Sequence, residues 1–289
     1  MKKWCLFLSL YLTLCLLASC GASGSGEPVP GGTPSEEPQA GGESTQGAVI
    51  IDAAPWMSTY RIVSGAETGI LLLAEQGEEG TGIYTLDTAG LTLEEPLRDG
   101  QLINVYFETT LETYPAQLEG VTAVEPLSGG VDDLCALYLQ VLEDLWAVDA
   151  GLNESGVAYI GVDLSGTSLP LSEQSAVAWA FAAAHDAQVV QGTWDELVDQ
   201  GYITAEPISA AGSGADLGES KASFFEWKDG CHFSITEKPI MGSYSLRPIA
   251  FDAQKWRSSL GAYFFSSCTS VQAADGTWSG YQIGSEMIS

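Results

Sequence analysis

Two histidines, His185 and His232, are the only imidazoles in 289 residues, so any acid–base chemistry built on a ring nitrogen must use one of them. A hydrolase on His232 needs a nucleophile and an orienting acid. Ser234 shares its side of a predicted hairpin with Glu226 or Lys228 nearby, yet no spacing selects a partner. His185 follows Val177 and Phe181 at helical spacing and ends an apolar stripe. The chain has no Gly-x-Ser-x-Gly elbow, no His-Glu-x-x-His, no Cys-x-x-Cys, no phosphate loop and no calcium-loop spacing. No catalytic set, metal-ligand set or cofactor fingerprint emerges, and a non-enzymatic binding protein is expected. A hydrolase using His232, or cation capture by an acidic surface, are the alternatives.

Acidic residues are so numerous that adjacent pairs carry little information. Glu78-Glu79, Glu94-Glu95 and Asp132-Asp133 sit at loops or a helix start, whereas glycosidase chemistry needs two carboxylates across a sugar cleft. Of the eight tryptophans, Trp146, Trp179, Trp194 and Trp227 occupy core-type positions, while Trp56, Trp256 and Trp278 are freer to form a site. Lys255-Trp256-Arg257 is the one basic cluster beyond the N-terminus, suited to internal ion pairs or to an acidic partner. His232, Trp256 and Arg257 are therefore the candidate binding residues. Thirty-eight acidic residues against ten basic ones give a formal charge of −28, a field that repels nucleic acid and anionic surfaces.

The N-terminus carries an address. Lys2 and Lys3 precede an apolar stretch from Cys5 to Ala18, too short for a membrane span, and small residues lead to Cys20, as in a secretory signal. Losing Lys2 and Lys3 with the signal takes the charge from −28 to −30. The run Leu17-Ala18-Ser19-Cys20 resembles the lipobox of bacterial lipoproteins. That resemblance implies cleavage between Ser19 and Cys20, a diacylglyceryl group on the Cys20 thiol, and an extracellular, lipid-anchored location on a Gram-positive cell membrane. Two acyl chains hold a protein on a bilayer where one binds only reversibly. The partners expected are the membrane, through this anchor, and an extracellular protein or small ligand. Residues 20–47, nearly all Gly, Pro, Ser, Thr, Glu, Gln and Ala, form a tether. As a flexible coil it spans on the order of 30 Å.

With Cys5 and Cys15 in the signal and Cys20 acylated, Cys135, Cys231 and Cys268 remain. Cys231 and Cys268 lie in strand-like stretches and are the candidate disulfide, with two buried free thiols as the other possibility. Cys135 sits on an apolar helix face.

The elements expected to position these residues are those of an α+β chain. Residues 48–127 read as short strands, Ile70 to Ala74, Gly82 to Asp87 and Leu102 to Glu108 among them, separated by Gly and Pro turns. Asp99-Gly100-Gln101-Leu102-Ile103-Asn104-Val105-Tyr106, then Thr113-Tyr114-Pro115-Ala116 and Val121 to Leu127, resemble a small domain of unknown function found in Gram-positive lipoproteins. The resemblance, over about residues 65–127, implies a small all-β, OB-like barrel and attaches no activity to it.

Residues 131–289 read as a second, α+β domain with helices on one face of an antiparallel sheet. Leu134, Leu137, Tyr138, Val141, Leu142 and Leu145 recur at helical spacing behind Asp132-Asp133. Val157 to Asp163 is apolar on both faces, as in a doubly covered strand. Ser172 is a candidate N-cap for a helix to His185, and Thr193 with Glu196 is spaced as a capping box. Lys228-Asp229-Gly230 is expected to be a three-residue hairpin loop pairing Trp227 with Cys231 and Phe225 with Phe233, with Gly230 left-handed. A strand from Tyr244 to Phe251 and a final hairpin around Asp275-Gly276 complete the domain.

Overall fold

A computed structural model describes residues 55–77, 80–153, 156–207, 223–242, 246–278 and 280–289. The signal, Ser19, Cys20, the tether of residues 20–47, Glu78-Glu79 and Tyr244 lie outside the described residues. From Pro55 on, the chain packs as one compact unit, and the α+β class holds. Among the described residues no helix is long and apolar enough to cross a membrane.

The first sheet contains β1 (Trp56–Ser64), β2 (Ile70–Glu75), β3 (Ile83–Asp87), β4 (Gln101–Phe107), β5 (Thr109–Leu111), β6 (Ala116–Glu119) and β7 (Ala123–Val131), in the order β5-β6-β3-β2-β1-β4-β7. No described pairing joins β5 to β7, so the sheet curls without closing into a barrel. Alternation in β4 buries Ile103, Val105 and Phe107 on the inner face with Tyr60, Ile62, Leu71, Leu73 and Leu86. In β2 the apolar run does not alternate. Leu71 and Leu73 face that inner cluster, while Leu72 and Ala74 join Val63 and Ile83 in the main core. A free barrel would expose this second face to water; here α2 covers it.

The rest of the chain runs α1 (Leu134–Ala147), β8 (Tyr159–Gly166), α2 (Leu171–Ala184), β9 (Gln188–Gln191), α3 (Trp194–Asp199), β10 (Thr204–Pro207), β11 (Ser223–Glu226), β12 (Gly230–Lys238), β13 (Pro248–Ser258), β14 (Gly261–Val271) and β15 (Ser285–Ile288). Helix α1 buries the predicted stripe, and β8 is buried on both faces over Ile160, Gly161 and Val162. Helix α2 lies between the sheets, touching β1, β2 and β3 on one side and β8 and β9 on the other. It is therefore apolar nearly all round, with Ala176, Ala178 and Ala182 permitting close approach and Val177 and Phe181 filling the core. Its first turn is not capped by Ser172. Pro170 is the N-cap, and the Ser172 hydroxyl instead donates to Glu75 O at 2.6 Å, fastening the helix to β2.

Beside it, Glu173, 4% exposed, accepts from Arg61 Nε at 3.0 Å and Gln76 Nε2 at 3.1 Å. The Thr193/Glu196 capping box forms as its spacing predicts.

The second sheet is mixed rather than antiparallel: β8 pairs parallel with β9 and with β12, and β12 and β14 flank β13 antiparallel. The expected β11–β12 hairpin does not form. Both strands run the same way along one edge of β13, Glu226 opposite Ser258 and His232 opposite Trp256, with the residues between them bulging out. Strand β12 has no free edge for β11 because β8 and β13 take both. The N–H of Trp227 donates to Arg257 O at 2.8 Å, and its ring turns under the sheet. Gly230 is not among the left-handed glycines. Its role is space: a Cβ there would meet the Trp227 ring at 2.0 Å, and one at Gly161 would meet it at 2.6 Å.

Candidate functional site

The strand β13 decides where the sequence candidates point. Alternation sends Trp256 to one face with His232, its cross-strand neighbour, and Lys255 and Arg257 to the other. The three candidate binding residues therefore do not converge. Trp256 is half-buried against Trp194, ring centroids 5.8 Å apart and edge-on, in a small cluster with Leu197, Ile203 and Trp227. Arg257 reaches Leu152 O at 2.9 Å and Lys228 O at 2.8 Å, an internal role.

Lys255 is fully buried. Its ammonium donates to Trp146 O, Val148 O and Asp149 O at the end of α1, and to Asn153 Oδ1 at 2.8 Å. Burial pushes its pKa down. No side chain within α1 caps that end, so the lysine supplies from another strand the positive charge that the helix C-terminus lacks.

His232 is buried beneath α3. Its Nε2 lies 3.4 Å from Gly192 O, and since a carbonyl only accepts, that nitrogen carries the proton. Nδ1 is buried without a partner among the described residues, and burial lowers the ring's pKa, only partly opposed by the nearby Asp163 carboxylate. No hydroxyl or thiol bonds to either nitrogen among the described residues. His185 ends α2, stacked on Trp146 at 3.9 Å with Nε2 3.1 Å from Glu143. Trp56 is exposed as expected, whereas Trp278 is buried, its indole N–H donating to Asp132 at 2.9 Å and its backbone N–H to Asp133 at 2.7 Å.

Cys231 and Cys268 are free, buried thiols rather than a disulfide. They lie on strands either side of β13, and Cys268 faces Phe251 while Cys231 lies one residue beyond the His232–Trp256 pair. That offset puts them about 20 Å apart along the sheet, far beyond the roughly 7 Å Cα limit for a bridge. Burial pushes their pKa values up, to about 12 for Cys231 and about 11 for Cys268, which leaves both as unreactive thiols.

The concave feature nearest His232 is a crevice of about 180 Å³ at the carboxyl ends of the parallel strands β8 and β9, where open α/β sheets place ligands. Asp163, Ser165, Gln174, Gln191, Thr193 and Glu196 line it together with Gly192, whose carbonyl His232 holds from below. One oxygen of Asp163 accepts from Ser165 N and Oγ, and one oxygen of Glu196 from Thr193 N and Oγ1, which fixes both carboxylates. Each leaves its second oxygen without a partner among the described residues. Gln191 Oε1 accepts from Ser175 at 3.1 Å. The result is a rigid, acceptor-rich cup for a small molecule or side chain that donates hydrogen bonds.

Sequence reading missed this crevice because its members come from three separate stretches and only the capping box had a local signature. Among the described residues no three His, Cys, Asp or Glu side chains converge as a metal ion would require. No protein family, no curated protein and no solved structure matches this chain.

Proposed function

We propose that this chain is a non-enzymatic lipoprotein of a Gram-positive surface. In this proposal it is anchored through acylated Cys20, carried on the tether of residues 20–47, and binds a small hydrogen-bond-donating ligand, or a side chain of an extracellular partner, outside the membrane. The crevice at the ends of β8 and β9 carries the reading. Its carboxylates are positioned by their own loops, so their remaining oxygens are pre-oriented acceptors, and a prepaid ordering cost favours binding. His232 serves as the post under Gly192 in this reading, since its buried, neutral ring has no nucleophile to activate. The curled first sheet is proposed as an opened relative of the OB-like barrel. Strand β1 lying between β2 and β4, and the parallel β3–β6 contact, support that relation.

Two measurements test the proposal. Mass spectrometry of the protein from its native membrane should find an N-terminal peptide beginning at diacylated Cys20, and an unmodified Cys20 would remove the anchor. A screen of small polyols, amines and amino acids by ligand-observed NMR should yield a binder lost in Asp163→Asn with Glu196→Gln; hits indifferent to that pair would remove the crevice.

A further inference from the structure

The open end of the curled first sheet holds a second concave site, distinct from the β8/β9 crevice and sharing no residue with it. It is a cleft of about 330 Å³ walled by Trp56, Tyr60, Tyr84 and Phe107 and edged by Glu75 and Glu108. The strands dictate this grouping. Trp56 and Tyr60 are four residues apart on one face of β1, Phe107 is the cross-strand partner of Trp56, and Glu75 is that of Tyr60. Tyr60 and Tyr84 meet edge-on with centroids 5.2 Å apart, so the buried Tyr60 is the floor that props the part-buried Tyr84 ring, and Tyr84 and Trp56 are the accessible aromatic walls. Tyr60 and Phe107 are buried in the inner cluster and cannot move away, whereas Trp56 is 69% exposed, a large aromatic surface left in water at the rim.

The charge is as specific as the shape. Neither Glu75 nor Glu108 makes an ion pair among the described residues. Burial and then the nearby Glu75 carboxylate raise the Tyr84 phenol, which keeps that ring neutral. Aromatic faces attract a cation through the ring quadrupole, and uncompensated carboxylates at the same opening add to that attraction while excluding anions. An apolar ligand would leave the two carboxylates desolvated and unpaired.

We propose that this cleft binds an organic ammonium group: a small alkylated amine whose positive head sits among the aromatic rings beside Glu75 and Glu108. The site takes the cation by its charge and its alkyl shell together, so a neutral molecule of the same shape is rejected.

Calorimetric titration of the full-length protein in detergent with choline, butylammonium and 3,3-dimethylbutan-1-ol, the neutral isostere of choline, tests this. Saturable binding of either ammonium ion, with none of the neutral alcohol, is the expected result. Its Kd should rise at least fivefold in Trp56→Ala, whose exposed side chain leaves the fold intact, and in Glu75→Gln, and should not change in Asp163→Asn. No saturable binding of either cation, equal binding of the alcohol, or binding that survives both Trp56→Ala and Glu75→Gln overturns the proposal. Because Asp163→Asn reports on the other crevice, failure at one site is distinguishable from failure at the other.

Discussion

Lys255→Met should be among the most damaging single substitutions in the chain, although it keeps the length and volume of the side chain. The lysine is fully buried and gives its protons to three carbonyls at the end of α1 and to Asn153. Methionine leaves Val148 O and Asn153 Oδ1 without the donor they have here, while Asp149 O keeps the Leu152 N–H at 3.0 Å. A hydrogen bond from a charged group contributes about 1.5–3 kcal/mol, and the helix C-terminus adds up to about 2 kcal/mol of favourable field in a buried setting. Against that loss stands the desolvation of one ammonium, several kcal/mol that the variant no longer bears. The net expectation is a loss of about 3–4 kcal/mol. For the fragment of residues 52–289 in urea, with a slope of about 3 kcal/mol per molar, the midpoint should fall by about 1 M at unchanged slope. Asn153→Ala removes one acceptor and should fall by about a third as much. Lys228→Met, at an exposed ion pair with Glu206, should leave the midpoint unmoved. A Lys255→Met midpoint within about 0.2 M of the parent would refute the claim that this lysine caps α1.

The His232 ring has a folded pKa below its unfolded value of 6.5, so the unfolded chain binds its proton first; stability from this group is complete above pH 6.5 and drains as pH falls below it. In His232→Gln, the slope of urea midpoint against pH just below 6.5 should flatten, and an unchanged slope would assign it elsewhere. Arg61→Met strands the buried Glu173 carboxylate and should cost about 3–5 kcal/mol, while Arg61→Met with Glu173→Leu should recover most of that in a double-mutant cycle. Gly230→Ala should cost at least about 1–3 kcal/mol by overpacking against Trp227, read from thermal unfolding; a neutral effect would mean that the ring moves freely. Thiol titration of the native fragment of residues 52–289 should find Cys135, Cys231 and Cys268 silent and all three reactive after denaturation, whether or not reductant was present, and a reductant-dependent count would restore the disulfide.

Local chemistry made much of the secondary structure legible. The α1 stripe, the Thr193/Glu196 capping box, the doubly apolar β8 and the strands β2, β3 and β4 all follow from spacing, because each depends on contacts within a few residues or on one face of one element. The run Ile70-Leu71-Leu72-Leu73-Ala74 reads as a strand, but a small free barrel leaves its second face in water, and only the packed structure shows β2 buried on both faces. Composition and charge alone carry the expectation that nucleic acid is not a partner, and the residues around Cys20 alone suggest the anchor.

Strand pairing was decided only in three dimensions. The sequence Trp227 to Phe233 satisfies a hairpin pattern, yet β8 arrives from seventy residues upstream to take the edge that β11 would have used. That competition is between distant segments, and no local signal records it. The same applies to the sites. Sequence proximity joins Trp256 to Arg257, but the pleat sends them to opposite faces. Both clefts gather residues from strands that become neighbours only through register, and the Lys255 ammonium meets the end of α1 across more than a hundred residues. Hydrophobic periodicity fixes which face of an element is buried. Which polar groups then meet depends on long-range pairing and packing, and these form only when the whole chain has folded.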